Sequence, residues 1–590
     1  MTKARAGQST RKSAANDDDD GSASANSDDY VPEDTEAAAE EPLRKKQKTA
    51  ASRQTSQAKL QHLLTHKATP SLTPAHPPLR QHSFSYHRPL LLDLPANQGR
   101  ALLLGWFDSV STTRRMPWRK PWVDPLSIAD PATLRQTLER RAYEVWISEI
   151  MLQQTRVATV IDYWNKWMAK WPTIQLLAAA SPDDVLAAWR GLGYYSRATR
   201  IHEAAKLVVA DPGMNGLLPS DVSLLEKKVP GVGRYTAGAI SAIVFGQAAP
   251  MVDGNVLRVL SRQTGLLGNI KTDKAVIDFI WAAAEALVKA VAKDGTELEE
   301  DDGDDGNVPV SSRPGRWGQA LMELGSTVCT PKPNCGECPI TSTCRVYAEG
   351  LSLATTSKKQ QPLRDMEDGC ELCHSLEEAG DGEDAGNAGS SSASAPSKPK
   401  QATLAMFSFA PKAAAADKKS SAASKPDQKK LEAISAHARK FPLKVVKKAV
   451  REEETVVCAI RHGDRFLISR RPSKGLLAGM WELPSQVLPE DGSSNKQVRK
   501  QTALDCVSQL APAASAKSPL RFVAELGAIP WLFSHLKLTM HVQLFAVSGG
   551  VEDLELADNQ RWATEQEIDD ESMGTGMRKC WALAKEAKRD

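Results

Sequence analysis

The stretch that decides the fold of this chain is LEKKVPGVGRYTAGAI, residues 225–240. Its first part has the composition of a helix that runs into Pro230, and a second helix starts near Tyr235. Gly231 and Gly233 in the turn let the backbone approach another surface closely. The N–H groups at the start of the second helix can bind a phosphate. A lone Gly-x-Gly would favour an ordinary tight turn, but the whole stretch predicts two helices whose turn contacts a phosphate backbone.

The region around this turn, residues 101–350, has the apolar spacing of helices. Trp146, Ile147 and Ile150 recur at intervals of three and four, whereas strand signals are scarce. An acidic run, Glu297–Asp305, interrupts the pattern and predicts a surface loop. The region is therefore predicted to be an all-α domain.

The C-terminal region has a different period. Thr455–Ile460 and Arg465–Arg470 flank His462-Gly463-Asp464, which predicts a β-hairpin. Leu536–Leu544 alternates apolar and polar residues, which predicts a half-buried strand. This domain is therefore predicted to be α+β.

The remaining segments have little apolar sequence. Residues 1–95 and 351–450 are dominated by Ala, Ser, Lys and other small or charged residues, so we expect a disordered N-terminus and a disordered linker. The two domains then span residues 96–350 and 451–590. Arg44–Lys48 is either a nuclear import signal or a solvated charge run. We find no run of 18 apolar residues and no apolar core of a secretory signal, so we expect no membrane span.

An acidic residue at a fixed distance from the turn points to chemistry. Asp253, in the stretch VDGNV (252–256), follows Gly233 by 20 residues. A lone Asp before Gly is usually a helix cap or a turn residue. The turn and this acid together, however, resemble the helix-hairpin-helix signature of the base-excision glycosylases related to endonuclease III.

Three further stretches narrow the resemblance. They are PWR (117–119), WISEIMLQQT (146–155) and GLGYYSR (191–197). All three closely resemble the adenine DNA glycosylases, or MutY family, over about residues 100–350, and the resemblance resumes over about 455–560. On a helical wheel Glu149, Gln153 and Arg156 share a side away from Trp146 and Ile147, so that Glu149 would face DNA from a polar side. Outside this motif, Glu149 would be read as a solvated charge.

The resemblance implies a role for each residue that it carries. Glu149 would be the general acid that protonates adenine, and Asp253 would stabilise the sugar cation, with support from Tyr235 and Asn255. In bifunctional relatives a lysine stands at position 235 and forms a Schiff base, so Tyr235 implies base removal without strand cleavage. The resemblance also implies three groups of DNA-binding residues. Gln154 and Tyr194 would form a wedge at the lesion, and the hairpin glycines Gly231 and Gly233 would contact the backbone. The adenine pocket would consist of Trp118, Arg119 and Gln319.

The chain has nine cysteines, and four of them lie in one short loop. They are Cys329, Cys335, Cys338 and Cys344, a grouping that suits an iron–sulfur cluster or zinc. The family carries a [4Fe–4S] cluster here, with six residues in the first gap, whereas this chain has five. Cys370 and Cys373 in the linker have zinc spacing and resemble part of a linker zinc site of animal relatives, for which a further cysteine is missing. Two free surface thiols are the alternative.

The C-terminal domain resembles a Nudix domain. The resemblance rests on Gly475–Pro484 and on Phe533-Ser534-His535-Leu536. A Nudix hydrolase needs an acidic metal-binding box, and Gln497–Cys506 contains no paired glutamates. We therefore expect Ser534 and His535 to recognise the damaged base, although a surface histidine would be the ordinary interpretation of His535.

The sequence thus predicts a monofunctional glycosylase that excises adenine opposite 8-oxoguanine or guanine in double-stranded DNA. A bifunctional glycosylase and lyase, a non-catalytic damage-binding scaffold and a Nudix hydrolase are the alternatives. Gln401–Phe409 resembles a sliding-clamp binding box with its aromatic pair split by Ser408. We expect a nuclear protein, and the sequence leaves a mitochondrial form open.

Overall fold

The computed structural model of the chain describes most of the two predicted domains. The described residues are 50–65, 73–77, 80–93, 95, 98–294, 308–355, 370–376, 428–444, 450–472, 475, 477–489, 495–510, 520–533, 536–547 and 556–587. Four predictions fall outside them: the basic cluster 44–48, the acidic loop 297–305, the clamp-binding box 401–409 and the pair Ser534–His535.

The helical part of the chain comes first. Its α-helices are α1 (Ala50–Thr65), α2 (Leu90–Asp93), α3 (Arg100–Val110), α4 (Pro131–Leu152), α5 (Val157–Lys170), α6 (Ile174–Ala178), α7 (Pro182–Ala188), α8 (Ser196–Ala210), α9 (Val222–Lys228), α10 (Arg234–Phe245), α11 (Gly254–Thr264), α12 (Lys274–Lys293), α13 (Arg313–Thr327), α14 (Arg345–Thr355) and α15 (Gln428–Ala438).

The C-terminal part mixes strands and helices. Its elements are β1 (Arg451–His462), β2 (Arg465–Arg470), β3 (Trp481–Glu482), β4 (Ser485–Val487), α16 (Lys496–Leu510), β5 (Leu520–Leu532), β6 (Leu536–Val547), β7 (Gln560–Thr564), α17 (Glu565–Asp570) and α18 (Thr575–Glu586).

The chain forms two compact units. The first unit combines Arg115–Phe245 with Ala449–Asp590, and the second combines Leu43–Arg114 with Gly246–Lys448. The all-α domain predicted from the sequence is therefore shared between the two units. Neither unit is continuous in the chain, a feature that local sequence patterns do not reveal.

Tryptophans form much of the helical core of the first unit. Trp146, Trp167 and Trp189 are almost fully buried in one cluster with the apolar faces of α5 and α8. The Trp167 indole N–H donates to the Tyr143 hydroxyl over 3.0 Å, so its polar atom is satisfied inside the core. Helix α4 starts at Pro131 because the Asp130 side chain accepts from the first helical N–H groups.

Within the described residues, the C-terminal sheet of the first unit has seven strands. Its main order is β3-β2-β1-β6-β5, with β4 beside β1 and β7 beside β2. β1 and β6 pair in parallel, while the other pairs are antiparallel. The predicted hairpin is confirmed, since His462 pairs with Arg465 across a turn at Gly463, whose φ is +61°.

Helices cover both faces of this sheet. Val457 and Ala459 pack towards α18 on one face, and Val456 and Cys458 pack towards α16 on the other. The predicted strand over Leu536–Leu544 is present as part of β6, but its half-buried pattern is wrong. Residues 540–545 are buried on both sides because β6 is a central strand.

The second unit contains ordered parts of segments that we predicted to be disordered. Within residues 1–95, Tyr86 and His87 are buried in a 3₁₀ turn that precedes α2. Within the predicted linker 351–450, α15 packs on α14. Arg80, from the first segment, donates to the buried Glu349 carboxylate over 2.8 Å, and His437 of α15 lies 2.8 Å from the same group. Long-range ion pairing thus orders segments of low apolar content.

No helix in the described part of the chain is long and apolar enough to cross a membrane.

Candidate active site and metal sites

The predicted general acid lies at the buried end of α4. Glu149 is 5% exposed, and Tyr235 of α10 donates its hydroxyl to Glu149 Oε2 over 2.6 Å. The helical-wheel prediction of a polar side is wrong in two respects. Every residue from Arg141 to Met151 is buried, and α4 ends at Leu152, so Gln153 and Arg156 are not part of it. Glu149 is therefore a buried carboxyl with a specific partner and not a solvated charge.

The predicted hairpin joins α9 to α10 in the same unit. α9 ends at Lys228 and α10 starts at Arg234, with Gly231 and Gly233 exposed between them. Gly231 has a φ of +77°, and a Cβ atom there would lie 3.0 Å from Arg200 Cβ. Glycine is required at this position for both reasons. The turn also sets the start of the helix that carries Tyr235.

The predicted second carboxylate caps α11 in the second unit. Asp253 Oδ1 accepts from the Val256 backbone N–H over 2.8 Å, and Oδ2 accepts from Asn255 Nδ2 over 2.8 Å. Asp253 is thus a helix cap, and this role is compatible with that of a functional acid. Burial raises the pKa of the Asp253 carboxyl above its ordinary value, while these two hydrogen bonds act in the opposite direction.

Asn255 is itself held by a neighbouring arginine. Arg258 Nη2 donates to Asn255 Oδ1 over 2.8 Å and to the Gly325 carbonyl over 2.8 Å. Arg258 Nε donates to the Cys329 carbonyl over 3.0 Å. A Cβ atom on Gly325 would lie 2.7 Å from Asn255 Cβ, so α13 approaches Asn255 closely. The first cysteine of the loop is thereby connected to the residues that orient Asp253.

The four-cysteine loop lies between α13 and α14. None of the four thiols forms a disulfide. Burial raises the pKa of the Cys338 thiol to about 12 and also raises the pKa of Cys335 and Cys344, and neighbouring thiols act in the same direction. Arg262 Nη1 donates to Cys329 Sγ over 3.3 Å. Burial thus disfavours the thiolate forms of Cys335, Cys338 and Cys344, and a bound cation is the kind of group that would stabilise them.

A second set of metal-binding side chains lies in the second unit. One ligand atom from each of His82, His87, Cys370 and Cys373 lies within 4.8 Å of the others. His87 Nδ1 lies 2.9 Å from the Thr264 carbonyl, while His87 Nε2 lies 3.1 Å from Cys370 Sγ. A histidine that donates from Nδ1 to a carbonyl presents Nε2 to a metal. This group can bind a metal ion with two imidazoles and two thiolates.

The two histidines of this set were missed in the sequence. The sequence offered no further cysteine to accompany Cys370 and Cys373, and the structure places His82 and His87 beside them, from the segment that precedes α2. The signal was present as two histidines separated by four residues, HSFSYH, at 82–87. It lies far along the chain from Cys370, inside a segment predicted to be disordered.

The predicted DNA-contacting residues differ in their exposure to solvent. Gln154 and Tyr194 are exposed and both have left-handed backbones, with φ of +58° and +48°. Arg119 is partly buried, as is Gln319, whose Nε2 donates to the Gly315 carbonyl over 3.1 Å. Trp118 is 5% exposed and its ring packs 6.0 Å from that of Trp164, so it belongs to the helical core.

A cavity of about 630 Å³ lies within the first unit beside Tyr194. Its lining includes Tyr194 and Tyr195 from the loop before α8, and Trp481, Trp531 and Phe533 from the C-terminal domain. Phe533 directly precedes Ser534 and His535 in the chain. The predicted wedge loop and the end of β5 therefore line the same cavity.

An arginine of the helical part of this unit forms hydrogen bonds with the C-terminal domain. Arg190 donates to the carbonyls of Asp569, Asp570 and Glu571 over 3.1, 2.7 and 2.9 Å. These carbonyls lie at the C-terminal end of α17, where backbone acceptors lack helical partners and favour a cation.

Comparison with known proteins identifies the family. Residues 147–285 match the family described as the HhH-GPD superfamily of base excision DNA repair proteins, and residues 456–583 match the NUDIX domain family. The human adenine DNA glycosylase is 35% identical over 499 residues, which cover 82% of this chain and 73% of the human protein. The chain belongs to the adenine DNA glycosylase family.

Two further similarities cover other spans of the chain. The adenine DNA glycosylase of Schizosaccharomyces pombe is 28% identical over 525 residues, which cover 86% of this chain and 93% of that protein. The C-terminal domain of mouse MUTYH, solved in a complex with human PCNA, is 23% identical, with a TM-score of 0.19, and covers 24% of this chain and 92% of that chain. The predicted fold class, a helix-hairpin-helix glycosylase domain followed by a Nudix-like α+β domain, is confirmed.

Proposed function

We propose that this protein is a monofunctional DNA glycosylase that excises adenine paired with 8-oxoguanine or guanine. The observation that carries the proposal is the 2.6 Å hydrogen bond from Tyr235 to the buried Glu149, beside a hairpin with exposed glycines. A buried carboxyl that is oriented by a hydrogen bond is suited to proton transfer, and the hairpin is suited to a DNA backbone.

Glu149 would act as the general acid. Neutral adenine is a poor leaving group, and protonation of its imidazole-ring nitrogen makes it a good one. General acids in such enzymes commonly lie in environments that exclude water, and Glu149 is buried. The hydroxyl of Tyr235 orients the carboxyl group and stabilises the carboxylate that is left after the proton has moved.

Asp253 would stabilise the positive charge on the sugar. Departure of the base leaves an oxocarbenium-like sugar, and a carboxylate stabilises it by charge or by a covalent bond. Asn255 and the Val256 N–H bind one Asp253 oxygen each, which fixes the orientation of the carboxylate. A second carboxylate with its own environment is the usual division of labour in glycosidic chemistry.

The residue at position 235 favours base removal alone. A lyase needs an amine to form a Schiff base with the sugar, and Tyr235 has none. Its hydroxyl is already committed to Glu149. This observation disfavours the bifunctional alternative.

DNA would be engaged at three places. The backbone N–H groups around Gly231 and Gly233 would bind a phosphate, and Gln154 and Tyr194 would enter the duplex as a wedge. The resemblance assigns Trp118, Arg119 and Gln319 to the extruded adenine, and the burial of Trp118 in the helical core disfavours a direct contact of its ring with the base. Extrusion is needed because the reacting atoms are inaccessible inside a duplex.

The C-terminal domain would select the opposite base. Adenine is a normal base, so selectivity has to come from its partner. The exposed wedge loop and Phe533 line one cavity, which favours placing Ser534 and His535 against the opposite strand. The helix α16 offers no paired glutamates for a hydrolase metal site, which disfavours the Nudix hydrolase alternative.

The protein would bind two metal cofactors, one at each cysteine-containing site. Cys329, Cys335, Cys338 and Cys344 would hold a [4Fe–4S] cluster. Bound there, the cluster would supply a rigid anchor for the Arg258 connection to Asn255. His82, His87, Cys370 and Cys373 would hold a zinc ion, whose preferred ligands are imidazole nitrogen and thiolate sulfur.

The remaining proposals concern partners and location. Gln401–Phe409 carries apolar residues in a polar segment, which is the composition of a docking peptide that orders on binding. We propose that it binds the sliding clamp. Arg44–Lys48 would direct the protein to the nucleus.

The test uses the full-length protein and three duplexes that place adenine opposite 8-oxoguanine, guanine or thymine. We expect single-turnover release of adenine from the first two, an intact strand carrying an abasic site, and the fastest release opposite 8-oxoguanine. DNA binding without release of base would support the scaffold alternative, and strand cleavage without added base would support the bifunctional one.

A further inference from the structure

One buried guanidinium holds the two turns that carry the proposed wedge residues. Arg197, in the first turn of α8, donates from Nη1 to the carbonyls of Ile150 and Gln153 over 2.8 and 2.6 Å. Its Nη2 donates to the carbonyls of Leu192 and Gly193 over 3.2 and 3.1 Å. The first two carbonyls precede Gln154, and the last two precede Tyr194.

Both wedge residues have a backbone conformation that is costly for their residue type. Gln154 and Tyr194 have φ of +58° and +48°. A left-handed conformation costs a non-glycine residue about 1–2 kcal/mol, so it persists only where surrounding contacts enforce it. Two of the four hydrogen bonds from Arg197 fall on Gln153 and Gly193, the residues immediately before these two positions, and the other two fall on Ile150 and Leu192 slightly earlier in the same turns.

The environment of Arg197 matches this task. α4 ends at Leu152, so the Gln153 carbonyl lies beyond the helix, while the Ile150 carbonyl in the last turn also accepts from the Gln153 backbone N–H over 3.4 Å. Backbone acceptors at the C-terminal end of a helix favour a cation. The guanidinium carbon also lies 5.4 Å from the centre of the Tyr194 ring and 5.3 Å from that of Trp189. Arg197 is 9% exposed, and burial lowers its pKa to about 10, which leaves it charged at neutral pH.

We propose that Arg197 is a positioning residue that holds Gln154 and Tyr194 in one rigid wedge, so that both side chains enter the duplex together. Arg197 contacts neither the adenine nor Glu149 in this role and acts through the two turns. The inference rests on the proposed function, because it takes Gln154 and Tyr194 as the residues that enter DNA.

The forked shape of the guanidinium is essential to this positioning role. Its two terminal nitrogens reach two separate turns at once, each with two acceptors. A lysine keeps the charge but has one nitrogen on a flexible stem, and it cannot reproduce a rigid two-sided contact. Arg197→Lys should therefore support one turn at the expense of the other.

The test is a mutant cycle on the full-length protein with an adenine:8-oxoguanine duplex. Arg197→Met is made in the native chain and in a Gln154→Ala, Tyr194→Ala background, and Lys206→Met on the exposed side of α8 is the control. Single-turnover excision is measured together with the fluorescence of 2-aminopurine placed beside the target adenine, which reports local unstacking. Thermal unfolding of each variant is recorded.

We expect Arg197→Met to slow excision on the order of 100-fold, because misplacement of a supporting group by about 1 Å has a cost of this size. The same variant should reduce the fluorescence change severalfold. In the background without the wedge side chains, Arg197→Met should change excision by less than about twofold. Lys206→Met should change neither signal. If Arg197→Met lowers excision equally in both backgrounds, Arg197 stabilises the fold only and the proposal is overturned.

Two further outcomes keep this inference separate from the proposed function. If the native protein releases no adenine, the proposed function itself is wrong, whatever the mutant cycle shows. If Arg197→Met does not fold, Arg197→Lys takes its place, and it should lower the fluorescence change in the native chain while its unfolding temperature stays near that of Lys206→Met. A native fluorescence change with Arg197→Lys would overturn the positioning role.

Discussion

The hydrogen bond between Tyr235 and Glu149 leads to a quantitative prediction for Tyr235→Phe. The substitution removes one oxygen and keeps the ring that packs at the start of α10. A hydrogen bond to a charged group is worth about 1.5–3 kcal/mol, and each 1.36 kcal/mol changes a rate tenfold. If the bond stabilises the carboxylate that forms as Glu149 loses its proton, Tyr235→Phe should slow excision about 10- to 160-fold.

The assay is single-turnover release of adenine from a duplex with adenine opposite 8-oxoguanine, with DNA affinity measured alongside. Affinity should be unchanged, because the Tyr235 hydroxyl is committed to Glu149. Tyr143→Phe is the matched control, since it removes a hydroxyl from the helical core that accepts from Trp167 and donates to the Trp171 carbonyl. The control should lower thermal stability and leave the excision rate within about twofold. A native excision rate for Tyr235→Phe would refute the role assigned to this hydrogen bond.

Three further predictions concern the other parts of the account. Asn255→Ala removes a hydrogen bond that lowers the pKa of Asp253, so this pKa should rise further. Because the ionised form of Asp253 is needed, a pH–rate profile should show the acid-side loss of excision beginning at a higher pH than in the native protein. His87→Ala should abolish stoichiometric zinc in elemental analysis, whereas His374→Ala, which alters a histidine outside the set, should retain it; equal zinc content in both would exclude the site. Tyr235→Lys should form a borohydride-trapped covalent adduct with the substrate DNA, and the lack of an adduct across the pH range would count against the proposed equivalence with bifunctional relatives.

The sequence was most informative where a local pattern fixes the structure. The glycine turn at 231–233 and the alternating run before Leu544 each lie within one or two adjacent elements, and both were predicted at the correct place. The acid Glu149 was predicted from a motif, although the reason was incomplete. A helical wheel assumes one solvent-facing side, and the end of α4 has none because other helices of the unit surround it.

The parts that could not be predicted depend on contacts between distant segments. Arg80 and Glu349 are 269 residues apart, and their ion pair orders a segment whose composition is typical of disorder. His87 and Cys370 are 283 residues apart, so spacing rules for metal ligands do not apply to them. The burial of both faces of β6 likewise follows from its central place in the sheet, which the period of its own sequence does not encode.

The central claim is that Glu149 delivers the proton that releases adenine. The most direct measurement compares the native protein with Glu149→Gln on a duplex that places adenine opposite 8-oxoguanine, under single-turnover conditions and with DNA binding measured in parallel. The amide keeps the shape of the side chain and removes the transferable proton. We expect native DNA affinity with no detectable release of adenine, and release at the native rate by Glu149→Gln would show that another group supplies the proton.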